Sequence, residues 1–157
     1  MPGTSKPSEP GGLRAGATVR MNHRALAYLL MRIALGMNFF GHGFFRILSG
    51  VGAFAAGMAQ SMSKGPLPSA LSLSFGYCVP WLELILGILL LLGLFTRPAL
   101  AAGSLFMVAL TFGTTSVQNW AGAGTQLQYS FIFFAMLWLV DANTFSVDEL
   151  ISRRGKP

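Results

Sequence analysis

The feature that most constrains this chain is the apolar run from Leu73 to Phe95, whose second half, LILGILLLLGLF, has no polar side chain. About 20 apolar residues cross a hydrocarbon core of roughly 30 Å at about 1.5 Å per helical residue. Backbone groups in lipid must pair within their own segment, so a run of this kind is expected to form a helix. Three more runs are read in the same way: Ala27–Leu48, Pro98–Ser116 and Gln126–Asp141. The expected fold class is therefore all-α: an integral membrane four-helix transmembrane bundle. Composition agrees, with 53% hydrophobic and only 10% charged residues in 157, against about a quarter charged in soluble domains.

The domain organisation follows. Residues 1–24, rich in Pro, Gly and Ser, read as a disordered basic cytoplasmic tail. Residues 25–145 form the four-span membrane domain, and residues 146–157 a basic cytoplasmic tail in which SVDELISRRGK can form a short amphipathic helix. Between spans one and two, Val51, Phe54, Ala55, Met58 and Met62 fall at helical spacing. A short amphipathic helix roofing the bundle and an ordinary loop are both open there. SKGPLPS, from Ser63, interrupts any helix with two prolines. Thr96, Arg97 and Pro98 read as a tight turn with Pro98 at the first helical position, and AGAG (121–124) as the next turn.

The net charge of +6 is not read as a nucleic-acid footprint, because the basic residues flank apolar runs and no base-reading motif accompanies them. Lys6, Arg14, Arg20 and Arg24 precede span one, Arg97 sits between spans two and three, and Arg153, Arg154 and Lys156 follow span four. The opposite loops offer Lys64 alone, with Arg46 at a span end. Both termini are thus expected to be cytoplasmic. Cys78 is the only cysteine, so neither a disulfide within the chain nor a CxxC pair can form, and no metal site is expected.

Ionisable groups inside apolar spans are costly and mark the place to look for function. On span one, Arg32, Gly36, Phe39, Gly43 and Arg46 share a stripe, whose glycines admit a close neighbour; Leu29, Leu30, Ile33 and Phe44 are placed nearer lipid. On span two, Gly76, Pro80, Glu83 and Gly87 form a matching stripe. Pro80 lacks an N–H, so a kink or polar notch is expected beside Glu83. His42 lies roughly 9 Å and Glu83 roughly 15 Å from the same end of the bundle. With the stripes facing each other, Glu83 can reach His42 and Arg46 can reach inward. A bare carboxylate at that depth takes up a proton, so Glu83 is either paired or protonated. His42, Arg46 and Glu83 are the candidate polar intramembrane site, read either as a clamp of helix register or as a proton-handling or ligand-orienting site. Arg32 and Asp141 are expected to form a structural ion pair between helices one and four. Tyr77 and Gln118 can add hydrogen bonds. The Phe, Met and Trp of spans three and four are assigned to packing and lipid, with a groove for an apolar tail such as quinone as the alternative.

RIALGMNFFGHGFFR (32–46) followed by PWLELILGILLLLGLFTR (80–97) resembles the DoxX family of small bacterial four-span membrane proteins over about residues 27–142. The matching positions are Arg32, Gly36, Gly43, Arg46, Glu83, Gly87, Gly93 and Arg97; where many relatives have Lys, this chain has Arg46. The resemblance implies kinship with the DoxD subunit of thiosulfate:quinone oxidoreductase, residence in the bacterial inner (plasma) membrane, and association with redox, thiol or sulfur systems. It supplies no catalytic residue. The expected function is a subunit or accessory of a membrane redox system, quinone- or thiol/sulfur-linked, with quinone as the candidate ligand and no other cofactor indicated. Its partners are the lipid bilayer and a protein partner or a second copy. The alternative is a non-catalytic membrane scaffold; a transporter ranks below both, since no inverted repeat links spans one–two to three–four. An autonomous enzyme is not favoured, because no nucleophile–base pair or phosphate loop is recognisable.

Overall fold

The computed structural model describes residues 23–154, and these form helices and the turns between them, with no strand. The helices are α1 (His23–Leu48), α2 (Val51–Met62), α3 (Ser69–Leu92), α4 (Thr96–Ser116), α5 (Trp120–Trp138) and α6 (Val147–Arg154), with a 3₁₀ turn at Val140–Ala142. The expected tail at 1–24 lies outside the described residues up to position 22, and His23 and Arg24 open α1. Residues 155–157 also lie outside them.

α3 is built from the apolar run and extends through Pro80 without interruption. It ends at Gly93, which takes the left-handed conformation (φ 65°) that glycine adopts at no steric cost. Gly93 N–H donates to Leu90 O (3.2 Å) and Leu94 N–H to Leu89 O (3.0 Å), a glycine-closed helix end. The turn between the second and third long helices therefore falls at Gly93–Phe95, earlier than Thr96–Pro98, and Pro98 stands third in α4, within the first turn, where its missing N–H is tolerated. AGAG (121–124) is not a turn but part of α5: the Asn119 side chain accepts from Gly122 N–H at 3.0 Å and starts the helix before it. Between α1 and α3 the open alternative resolves to a helix, α2, whose Ala55 and Met62 are buried.

α1 packs most extensively on α3, α2 on α3, and α4 on α5. Close approach explains the first pairing. A Cβ on Gly43 would meet the Pro80 carbonyl oxygen at 2.6 Å, and one on Gly87 would meet Phe40 Cα at 2.6 Å. The two stripes interlock at backbone contact through Gly36, Gly43, Pro80 and Gly87, all buried, whereas Gly76 of the second stripe faces Ala55 of α2. Leu30, Ile33 and Phe44 face outward. The core joins α1 to α4 and α5 through edge-to-face rings: Phe39 lies 5.4 Å from Phe133 and 6.5 Å from Phe106 between centroids.

α3 and α4 are each long and apolar enough to cross a membrane. α1 and α2 qualify only as a joined pair, bent by 104° at the break between them, and α5, at 19 residues, falls short on composition. The count of crossing helices by length and composition is thus two, or three with the bent pair. The four long helices expected from the sequence are present, but α1 and α5 each carry a polar stretch, and those stretches face one cleft.

Candidate functional site

Asn38, His42 and Arg46 recur every four residues on α1 and so line one edge of the helix. Opposite them, α5 presents Thr125, Gln126 and Tyr129. A cleft of about 290 Å³ lies between these two edges, with Glu83 of α3 and Met107 and Leu110 of α4 also lining it. The Phe39–Tyr129 ring contact, 6.0 Å between centroids, joins α1 to α5 along its wall. Asn38 and His42 are exposed along the cleft, whereas Glu83 is 6% exposed.

The carboxylate at the base is asymmetric. Glu83 Oε1 forms an ion pair with Arg46 Nη1. Glu83 Oε2 is buried and has no hydrogen-bond partner among the described residues. Arg46 is held from its other side by α2: its guanidinium carbon stands 4.5 Å from the Phe54 ring centroid, a cation–π contact. The same arginine also lines a second, open cavity of about 620 Å³ at the α1–α2 elbow, which shares Asn38 and His42 with the cleft. Arg46 thus stands between a surface groove and a buried carboxylate. Around the cleft, Gln126 Oε1 accepts from Thr114 Oγ1 (2.6 Å), so the donor that Gln126 can offer is its NH₂. Tyr129 Oη donates to Asn38 Oδ1 (3.1 Å) and bridges the two rims.

His42, Arg46 and Glu83 therefore meet at one cleft, with Arg46 rather than His42 as the partner of Glu83. Tyr77 and Gln118 are not part of it. Tyr77 is exposed on α3, its hydroxyl beside Gly52 of α2. Gln118 sits in the α4–α5 connection at φ 57° and gives its N–H to Thr115 O. Asn38, Gln126 and Tyr129 line the cleft as well, although none is a charged residue that stands out within an apolar span. Asn38 shares the four-residue spacing of His42 and Arg46, and Gln126 and Tyr129 stand three apart on one helix face, which are the signals that identify them.

The expected Arg32–Asp141 pair does not form. Asp141 lies on the exposed 3₁₀ turn and pairs with Arg97 at 2.6 Å, a solvent-facing contact of little energetic weight. Arg32 is 2% exposed and instead donates from Nη2 to Phe145 O at 2.6 Å, against the Gly93 turn. The physical reason is position: Arg32 belongs to the buried stripe of α1 and points at the α3 terminus and the segment leading to α6, whereas Asp141 leaves α5 on the outside. That segment is itself tied down. Asp148 accepts Phe95 N–H and Thr96 N–H, both at 2.7 Å, and caps α4 from α6. Asn143 Nδ2 donates to Thr96 Oγ1 at 2.9 Å.

Compared with known proteins, residues 27–116 match the DoxX family model. The chain belongs to the DoxX family. The match takes in α1 from residue 27 and all of α2, α3 and α4, and with them Asn38, His42, Arg46 and Glu83, while the α5 wall of the cleft lies beyond it. No curated protein and no solved structure matches the chain.

Proposed function

We propose that this DoxX protein is a subunit or accessory of a membrane redox system, and that the cleft between α1 and α5 receives the polar head of a redox-active small molecule, quinone- or thiol/sulfur-linked. The observation that carries the reading is the free oxygen of Glu83: a buried acceptor without a donor, beside an arginine that is already paired. A buried polar atom of this kind favours a ligand or water that supplies the missing hydrogen bond. His42, at the rim and shared with the surface groove, is the group suited to pass a proton between them. With no cofactor motif in the sequence, electrons are supplied or taken by a partner protein. The protein is read as crossing the bacterial inner membrane four times, α1, α3, α4 and α5 being the spans and both termini cytoplasmic.

The test is equilibrium binding of a quinone analogue, and separately of a small thiol, to the purified protein and to Glu83→Gln. Saturable binding of one of them, weakened about tenfold or more by Glu83→Gln, supports the site. Binding of neither, or binding indifferent to Glu83, removes it. The rival reading, a scaffold without a ligand, draws on the same ion pair, since Arg46–Glu83 ties α1 to α3. It predicts that Glu83→Gln lowers assembly and yield with no separate loss in protein that still folds.

A further inference from the structure

α1 has two exposed faces of different character. Leu30, Ile33, Met37 and Phe44 form one, which is wholly apolar and suits lipid. The other carries Met31, Ala34, Asn38, Gly41 and Phe45, at alternating steps of three and four residues that keep them on one seam of the helix. Gly41 is half-buried and the other four are exposed. A Cβ on Gly41 would meet nothing within 4 Å, so the seam is open there to a neighbouring backbone. No charged residue lies on it. Asn38 stands about ten residues before the end of α1, hence about 15 Å deep in a bilayer that α1 crosses. Its Oδ1 accepts from Tyr129 Oη, whereas its Nδ2 has no partner among the described residues. An amide hydrogen is costly to leave in lipid at that depth. Asn38, Gly41 and Phe45 also line the open hollow at the α1–α2 elbow, so whatever covers the seam borders that hollow too.

We infer that α1 packs along this seam against α1 of a second copy of the chain, as a parallel pair about a two-fold axis normal to the membrane. Such an axis sets each residue near its own counterpart at the same depth. The Asn38 side chain is complementary to itself. Its oxygen keeps a lone pair beyond the one that Tyr129 uses, and its NH₂ is free, so two copies exchange hydrogen bonds without giving up the Tyr129 contact. A single asparagine in an otherwise apolar heptad seam fixes register and copy number in this way. Gly41, one turn further on, lets the two backbones approach. With no charge on the seam, a parallel pair meets no like-charge repulsion. Acyl chains cover an apolar face but offer the amide no acceptor at that depth. The pair bears on the cleft as well, because Asn38 is part of its rim. The inference takes α1 as a span, as in the reading above, and needs no ligand in the cleft.

The experiment uses the full chain in its own membranes, in a Cys78→Ser background. Single cysteines at Ala34 and Phe45, on the seam, are oxidised with iodine and compared with Ile33→Cys and Phe44→Cys, one residue away on the lipid face. Disulfide-linked dimers are expected from Ala34→Cys and Phe45→Cys well before they form from the two controls. Affinity is read by energy transfer between copies labelled at Ser152→Cys in phosphatidylcholine liposomes, as the ratio of lipid to protein rises. Asn38→Ala is expected to weaken the pair about threefold or more, the effect of losing an interhelical hydrogen bond. Gly41→Leu, whose Cβ meets nothing within the chain, is expected to abolish it. Crosslinking no faster at 34 and 45 than at 33 and 44, or energy transfer that both substitutions leave unchanged, overturns the pairing and leaves the ligand reading of the cleft as it stands. Reaction of Ile33→Cys with an impermeant maleimide places α1 outside lipid and overturns the inference together with the four-span reading. The crosslinks form with Asn38 and Gly41 intact, so they decide the outcome even where a substitution at either position prevents folding.

Discussion

At the scale of single residues, the glycines of α1 are not equivalent. Gly43 touches the backbone of α3, where neither partner can yield, so Gly43→Ala is expected to destabilise by about 2–3 kcal/mol through overpacking. Gly41, two residues earlier and on another face of the helix, is different: a Cβ added there would meet nothing within 4 Å. Gly41→Ala is expected to be neutral or stabilising by up to about 1 kcal/mol, as helix propensity alone dictates. Denaturation in mixed micelles reads both, and equal effects would refute the close α1–α3 approach. Glu83 is a further case in which neighbours matter more than identity. A carboxylate in an apolar helix is legible from sequence, but which of its oxygens is free follows only from where Arg46 lies.

At the scale of elements, α6 is short and has no buried residue of its own. It is held by what it gives to others: Asp148 caps α4, and Asp148 N–H donates to Gly93 O at 3.0 Å. Arg32 adds a bond to the preceding segment. Asp148→Ala is therefore expected to cost about 1–2 kcal/mol and to release two elements together. Hydrogen exchange should accelerate at the Phe95 and Thr96 amides and across α6, with α3 and α5 unaffected. Protection lost in α6 alone would mean that the cap does not hold the start of α4.

At the scale of the whole molecule, the question is how the polar helices meet a bilayer. α1 and α5 carry the cleft, and neither by itself is long and apolar enough to cross a membrane in the way that α3 and α4 are. Such helices are tolerated in a membrane where their polar face lines a cavity. Four crossings put the α2 end and the α6 end on opposite sides. In a Cys78→Ser background, chosen because Cys78 is exposed, single cysteines at Lys64 and Gln118 should react with an impermeant maleimide in intact cells. Those at Arg97 and Ser152 should react only after permeabilisation. Opposite behaviour of positions 64 and 118 would exclude four crossings.

The apolar runs and their interruption at SKGPLPS marked the four long helices, and the paired small-residue stripes the faces that α1 and α3 bury, because helical periodicity and the need to satisfy the backbone in lipid act locally; α2 stays open between helix and loop in the sequence, and AGAG reads as a turn although it lies in α5. The family resemblance was carried by the same residues. Tertiary structure alone decided the partners. Arg46 rather than His42 meets Glu83, and Arg32 turns to Phe145 and leaves Asp141 to Arg97. It also brought Gln126 and Tyr129 of α5 opposite Asn38 and His42. Spacing along one helix fixes which side chains share a face, but the rotation and splay of two helices fix which faces meet, and those depend on backbone contacts such as Gly43 against Pro80 that no single segment encodes.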